Sequence, residues 1–431
     1  MVMASISYKS LPPSLYAAVS PPGPVTTALQ GEHICETALI GAGFTGLSAA
    51  LHLARAGSGV MVLEANEIGW GASGRNGGQV NPGLKTMPSE VERDFGSHGA
   101  ALADAAWNAP DLVFDLIAKY GIKCDAARGG TIRASTAEGH LAHERELFSE
   151  CRDRGGPVTW LDRADIATRT GSSRYRGGFI DARGGQVNPL AYTRGLAQAA
   201  IDNGAVIHTR SPVMSLRRAN GKWQVRTPQG SVNATHVVFA TNGYSGRLWN
   251  RLRRTLVPAY SAIIATDPLP APFVKRILAD REVVYEMGEL VTYYRIDGAG
   301  RLLIGGRSAS RDLSGPAAFP FLQEYACKLW PFLGGTAWRY GWNGQLAMTL
   351  DHYPHWHEPI EGIMACVGYN GRGVAMGTLM GREIARRISG VPTGEILLPV
   401  SPLRPIPAHF GWRLGVAGAV LRGRIMDALA K

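Results

Sequence analysis

The sequence predicts an α/β protein in which a Rossmann-type, dinucleotide-binding domain is interrupted by an α+β domain with a mainly antiparallel sheet. Three observations carry this. A strand, a glycine turn and a helix stand together at residues 37–56, with a second strand after them. Extended segments joined by turns dominate residues 255–310. Near residue 340 the pattern of strand, glycine turn and helix returns, so the first domain resumes after the second. A chain of 431 residues also exceeds what one hydrophobic core holds.

The elements follow in order. Residues 1–33 read as an extended, proline-rich lead-in. Thr37-Ala38-Leu39-Ile40 is a short apolar strand, and Gly41-Ala42-Gly43-Phe44-Thr45-Gly46 turns the chain. Leu47 to Ala56 is a helix with Leu47, Ala50, Leu51 and Ala54 at helical spacing. Gly57 ends it, and Val60 to Glu64 forms the second strand. Helices are expected at Ala100–Trp107 and Leu112–Tyr120, and an extended piece at Gly130–Ser135. Then come a helix at Leu190–Asn203, a strand at Ala205–His208, a hairpin-like pair at Trp223–Arg226 and Ser231–Ala234, and a buried strand at His236–Thr241. Leu290–Ile296 and Arg301–Gly305 flank the turn Asp297-Gly298-Ala299-Gly300. Val374–Ile388 is a helix, and Phe410–Ala430 a terminal helix packed on the body rather than a basic amphipathic helix on a membrane. This assigns residues 1–88, 160–250 and 340–405 to the nucleotide-binding domain, 89–159 and 251–339 to the inserted one, and 406–431 to the C-terminal helix.

Composition narrows the function classes. Apolar residues at 45% and charged residues at 18% suit a globular enzyme and not a disordered chain. The net charge of +11 comes from short, separated clusters such as Arg251-Leu252-Arg253-Arg254. Nucleic-acid binding calls for a dense basic stripe or a recognisable module, so no nucleic-acid partner is expected. A positive surplus favours anionic ligands instead. Five cysteines without a C-x-x-C pair argue against a disulfide framework or zinc site and suit a reducing cytoplasm. His352, His355 and His357 read as a surface cluster on a loop around Pro354, with no metal. The N-terminus has no continuous apolar stretch of a signal peptide. No apolar run nears the roughly 20 residues that span a bilayer, so a cytoplasmic protein with no stable membrane insertion is expected.

The glycine turn carries the first chemistry. Gly41 permits the tight turn, Gly43 lets backbone approach a diphosphate, and Gly46 lets helix and strand pack closely. The helix N-terminus presents unpaired N–H groups and a positive dipole end to phosphates. Glu64 closes the second strand at the position whose carboxylate takes ribose hydroxyls, and it disfavours a 2′-phosphate. Gly71-Ala72-Ser73-Gly74-Arg75-Asn76-Gly77-Gly78-Gln79 is too glycine-rich for a stable helix. It supplies backbone donors with Ser73 and Asn76.

With that stretch the chain resembles the D-amino-acid oxidase-like superfamily of flavoproteins, and within it the γ-glutamylputrescine oxidase-like amine oxidases. The resemblance continues at Gly185-Gln186-Val187-Asn188-Pro189-Leu190 and at Val237-Val238-Phe239-Ala240-Thr241-Asn242-Gly243-Tyr244. It resumes at Trp342-Asn343-Gly344 with Thr349-Leu350-Asp351, and at Gly368-Tyr369-Asn370-Gly371-Arg372-Gly373-Val374. The matches run in order from about Tyr16 to Pro405. They are jointly specific to the superfamily and less so to the branch.

The resemblance implies that the two domains are an FAD-binding domain and a substrate domain. It places FAD contacts on Gly41, Gly43, Phe44, Thr45, Gly46, Glu64 and Ala65, and on Gly71, Ala72, Ser73, Arg75, Asn76, Gly77, Gly78 and Gln79. Further contacts are implied at Val213, on the strand after Ala205–His208, at Ala240, Thr241 and Asn242, and at Gly344, Gly371, Arg372, Gly373 and Val374. Some relatives bond the flavin to a cysteine seven residues before the aspartate of the T-x-D stretch; Gly344 stands there, so non-covalent FAD is implied. The implied reaction oxidises a C–N bond to an imine with O2 as acceptor and H2O2 as product, the cofactor carrying the chemistry.

Arg372, Arg295, Trp342 and Tyr294 are the candidate catalytic residues. Arg372 stands at a helix start, where the dipole disfavours a cation, so an anionic partner is expected. Tyr293 and Arg295 point one way from their strand and Tyr294 the other. Arg295 either holds a substrate carboxylate by a bidentate pair or reaches solvent from an ordinary half-buried strand. Trp342 either walls the amine site or is core. A γ-glutamylated polyamine or alkylamine leads as substrate. An oxidase or dehydrogenase of glycine, sarcosine or a D-amino acid, and a flavin-binding protein without turnover, stay open. Oligomeric state is not addressed by any motif.

Overall fold

Ala38, Leu39 and Ile40 are buried on both faces of their strand, which puts Gly31–Ile40 in the middle of a sheet. In the computed structural model, which describes residues 8–288 and 291–429, this strand runs parallel to Val60–Leu63 on one side and to Gly230–Phe239 on the other. The parallel order extends to Val206–His208 at one edge and Ile363–Val367 toward the other. His355–Ile360 closes that edge antiparallel. Ser215–Ala219 and Lys222–Arg226 form an antiparallel ribbon on Gly230–Phe239.

Helices Phe44–Arg55, Pro189–Asp202 and Gly373–Ile388 pack together over the sheet, with Gly99–Tyr120 beside them. At the first turn a Cβ on Gly46 would lie 2.1 Å from the Gly41 carbonyl oxygen. Only glycine allows the helix to start so close to the strand it follows.

The second sheet has eight strands, in the order Trp338–Met348, Val257–Thr266, Leu302–Arg307, Tyr293–Ile296, Val283–Glu286, Thr131–Ser135, Gly177–Asp181 and Val158–Leu161. All its neighbours are antiparallel except Val283–Glu286 with Thr131–Ser135. One face packs Ile132, Ile264, Tyr294 and Ile304 against helix Pro320–Leu329 and Trp330. The other face turns toward the first sheet.

Several expected elements differ. The two helices expected around residue 110 are one, Gly99–Tyr120, with Pro110 inside it. An interior proline costs about 3 kcal/mol. The buried Leu102, Ala106, Val113 and Leu116 on either side outweigh it. The separate strands at Ser231–Ala234 and His236–Thr241 are one strand, Gly230–Phe239, and the central strand begins at Gly31 inside the expected lead-in. Val158–Leu161, Gly177–Asp181 and Trp338–Met348 pair in the second sheet, so the boundaries expected at 160 and 340 fall inside it. Composition does not change at either point, which is why pairing alone reveals it.

His355 and His357 lie on a strand rather than a loop, and His357 is buried with Nδ1 2.8 Å from the Ser401 carbonyl. Val213 lies between strands, not on one. Residues 1–7 of the expected lead-in, Leu290 of the expected strand and Ala430 of the terminal helix lie outside the described residues. Among the described residues no helix is long and apolar enough to cross a membrane.

Candidate functional site

The C-terminal ends of the parallel strands, where open α/β sheets collect ligands, face the second sheet across a cavity of about 600 Å³. From the first sheet its wall takes Ile40 to Thr45, Leu63 to Asn66, Pro212, Val213 and Ala240 to Asn242. From the second it takes Ser261, Tyr285, Tyr293, Gly306, Arg307 and Gly344 to Met348. Gly71 to Ser73, Arg75 to Gly77, Gln79 and Tyr369 to Val374 also line it, as do Lys9, Trp70, Asn81, Lys85 and Tyr244.

Helix Phe44–Arg55 opens toward this space with a glycine N-cap that offers no side-chain cap, and with no acid in its first turn. The Phe44 N–H donates to Ser73 Oγ at 3.0 Å, which pins the glycine-rich loop to the helix start. Asn76 organises the loop itself: its Nδ2 donates to Ala72 O and Ser73 O, and its Oδ1 accepts from Gly78 N. Glu64 accepts from the backbone N–H of Ala42 and of Asn66, both at 2.9 Å. Burial raises its carboxyl above the ordinary carboxylate range, although those amides pull it down.

The distant motifs meet by hydrogen bonds. Tyr369 Oη and Thr45 Oγ1 share one at 2.7 Å, joining the two helix starts. Asn370 Oδ1 accepts from Thr349 N, and Gly368 N donates to Asn242 Oδ1, each at 2.9 Å.

The opposite end is electropositive. Arg372, only 5% exposed, is the N-cap residue of Gly373–Ile388 and lies 4.8 Å over the Tyr285 ring. Burial lowers its guanidinium to about 10. Burial would raise the Tyr285 phenol, but Lys85, Arg372, Arg133 and Arg307 together bring it below its ordinary value. Among the described residues Glu64 is the one acidic side chain in the cavity wall, against Lys9, Arg75, Lys85, Arg307 and Arg372.

Of the expected FAD contacts, all but Gly46 and Gly78 line the cavity. Gly46 sits under the turn, and the Gly78 backbone (φ +72°) lies against Val187 O. Three of the four catalytic candidates do not reach it. Arg295 is buried, with Nε on Gly77 O at 2.7 Å, Nη1 on Gln186 Oε1 at 2.7 Å and Nη2 on Tyr16 Oη at 3.3 Å. Each of its three nitrogens has a partner inside the protein and it lies outside the cavity wall, which speaks against its holding a substrate carboxylate. Tyr294 faces the other side, accepting from Tyr175 Oη at 2.9 Å and meeting Trp330 edge-on. Trp342 is core: its Nε1 donates to Arg75 O at 2.9 Å and its ring meets Tyr16.

Tyr285, Tyr293, Lys85 and Arg307 were missed. Strand alternation pointed at Tyr293, but Tyr285 and Arg307 become its neighbours only through the pairing of Val283–Glu286, Tyr293–Ile296 and Leu302–Arg307, and Lys85 comes from the loop before helix Pro88–Phe95. Arg295→Met is expected to cost about 1–3 kcal/mol in urea unfolding, because Gln186 and Gly77 oxygens lose their donor in a buried site. An unchanged stability with a raised substrate KM would contradict this structural role.

A family model described as FAD dependent oxidoreductase matches residues 36–387. The chain is 33% identical over 399 residues to the "Probable oxidoreductase OrdL" of Haemophilus influenzae, covering 91% of this chain and 90% of that protein. It is 31% identical over 358 residues to the gamma-glutamylputrescine oxidoreductase of Escherichia coli, covering 83% and 84%. Its fold superposes on the crystal structure of glycine oxidase from Geobacillus kaustophilus with a TM-score of 0.73 at 22% identity, covering 87% of this chain and 99% of that one. A family match over most of the chain, two relatives above 30% identity and a shared fold agree with the glycine turn that opens the first helix: this chain belongs to the FAD-dependent oxidoreductase family.

Proposed function

We propose that the protein is an FAD-dependent oxidase of amines that carry a carboxylate, converting a C–N bond to an imine and passing the electrons to O2 as H2O2. A γ-glutamylated polyamine or alkylamine is the substrate class put forward. The observation that carries this reading is the pair Arg307 and Arg372 around Tyr285, in a cavity whose one described acid is Glu64. The 31% identity to a gamma-glutamylputrescine oxidoreductase supports the same class.

The residues fit FAD. The uncapped start of Phe44–Arg55, with Gly43 and Ser73, suits the diphosphate. Glu64 suits the ribose hydroxyls, and Ala65 and Val213 line the same end. No cysteine or histidine is among the described lining residues, which supports non-covalent binding. Bound FAD supplies the two-electron acceptor for the amine carbon. Arg372 and the start of Gly373–Ile388 oppose negative charge at that end of the cavity. Arg307 holds the substrate carboxylate, and Tyr285 and Tyr293 flank it. The first sheet with its helices forms the FAD-holding unit and the second sheet the substrate-facing one.

In Arg307→Met the KM for γ-glutamylputrescine is expected to rise about 100-fold, the equivalent of one charge-assisted hydrogen bond. Putrescine, which has no carboxylate, is expected to be a poor substrate of both proteins. Equal peroxide production from putrescine and its γ-glutamyl derivative in the unaltered protein would remove the carboxylate from the proposal.

Tyr285 gives a pH test. Its phenol is depressed by the surrounding cations, so it becomes anionic below the usual tyrosine range as pH rises. The phenolate then competes with the substrate carboxylate for Arg307. The KM is expected to climb on the alkaline side in the native enzyme and to climb less in Tyr285→Phe. Superimposable KM profiles of the two proteins would contradict this.

A further inference from the structure

Helix Trp412–Leu429 meets the body with one face and shows a second apolar face to solvent. Trp412, Val416 and Val420 are half-buried and Gly423 is buried, which marks the inner side. Leu414, Leu421 and Ile425 are 81%, 61% and 54% exposed. At about 100° per residue these three fall within about 40° of one another, opposite the inner side. The exposed Arg413 and Arg422 flank that stripe, one on each side. Just before the helix, Phe410 is 92% exposed.

The surface around this helix is basic. His409 Nε2 lies 2.8 Å from the Leu256 carbonyl and Ile406 N donates to the Arg254 carbonyl, so the segment is strapped along residues 254–256. Just before these, Arg251 and Arg253 are exposed, as is Arg404 on the segment itself. Burial raises the nearby Tyr260 phenol, Asp312 adds to this, and Arg413 of the helix opposes it. Tyr260 in turn donates to Gln345 of the cavity wall at 3.1 Å.

We propose that this helix docks the protein on an anionic lipid surface, its leucine face entering the headgroup region and its arginines pairing with lipid phosphates, without crossing the bilayer. An apolar stripe flanked by arginines is the arrangement that lies in a membrane interface, and the neighbouring arginines add attraction to anionic headgroups. A second copy fits less well. Two-fold pairing through the same face would gather Arg413, Arg422, Arg251 and Arg253 of both copies around one interface, like charge near like charge.

The test is co-sedimentation of the full-length, FAD-loaded protein with phosphatidylglycerol–phosphatidylcholine vesicles (1:1) and with pure phosphatidylcholine vesicles. At least tenfold tighter binding to the anionic vesicles is expected, lost in high salt. The double variant Leu414→Glu/Leu421→Glu is expected to weaken it at least tenfold while flavin spectrum and Tm stay unchanged, since both side chains are exposed. No binding to anionic vesicles, or binding that the double variant leaves intact, overturns the proposal. Concentration-dependent dimerisation abolished by that variant, without vesicle binding, also overturns it and assigns the face to a second copy.

Discussion

A Gly43→Val protein is expected to fold and to be colourless. Gly43 has φ −97° and ψ −172°, an extended backbone that valine adopts without strain, so its side chain alone produces the effect. Its Cβ would lie 2.8 Å from Ser73 Oγ, the atom that accepts from the Phe44 N–H at the helix start. Ser73 must give way, and the valine methyls then stand where a diphosphate meets the helix amides. A loss of at least 1,000-fold in FAD affinity is expected, roughly 4 kcal/mol. The checks are the flavin-to-protein absorbance ratio after purification and after FAD addition, with circular dichroism to confirm the fold. Gly43→Ala should retain part of the flavin. A yellow, fully loaded Gly43→Val protein would contradict the site.

Arg372→Met is expected to lower kcat about 100-fold for every amine substrate while changing KM little. The side chain is buried at a helix start, where the dipole and its desolvation both oppose a cation. In the structure the guanidinium meets the Tyr285 ring, and the proposed reading adds an anion to be met there. An interaction strengthened as negative charge develops lowers the barrier rather than the ground state, so its loss appears in kcat. A charged hydrogen-bond partner contributes about 1.5–3 kcal/mol, the size of the predicted effect. Weakened sulfite binding by the oxidised flavin is the independent readout. A rise in KM at constant kcat would instead place Arg372 on the substrate carboxylate.

The two variants probe parts of the site that differ in how readily a sequence discloses them. The glycine turn, Glu64 and Ser73 are legible because their contacts are local: the Ala42 amide bonds Glu64 across a single β-α-β unit. Arg372 is legible through its conflict with the helix dipole. Arg295 is a half-buried strand arginine in the sequence, and only the loop at Gly77 and the strand at Gln186 show that its donors are used up. That Trp342 and Tyr294 lie outside the cavity wall was hidden for the same reason, since alternation tells which residues share a face but not what that face meets. Arg307 and Tyr285 carry no local signal. Their adjacency arises from the registers Val283↔Arg295 and Tyr293↔Gly305, long-range pairings that no spacing encodes. The split at residue 160 misled likewise, because the short strands Val158–Leu161 and Gly177–Asp181 look like any others until they pair.

The most direct test of the central claim is an anaerobic titration of the purified protein with γ-glutamylputrescine, followed by visible absorption. Bleaching of the flavin bands, with colour and a matching amount of H2O2 returning when air is admitted, is the predicted result. A yellow protein that this amine and its γ-glutamyl analogues leave unbleached, while glycine or sarcosine bleaches it, would contradict the proposed substrate class.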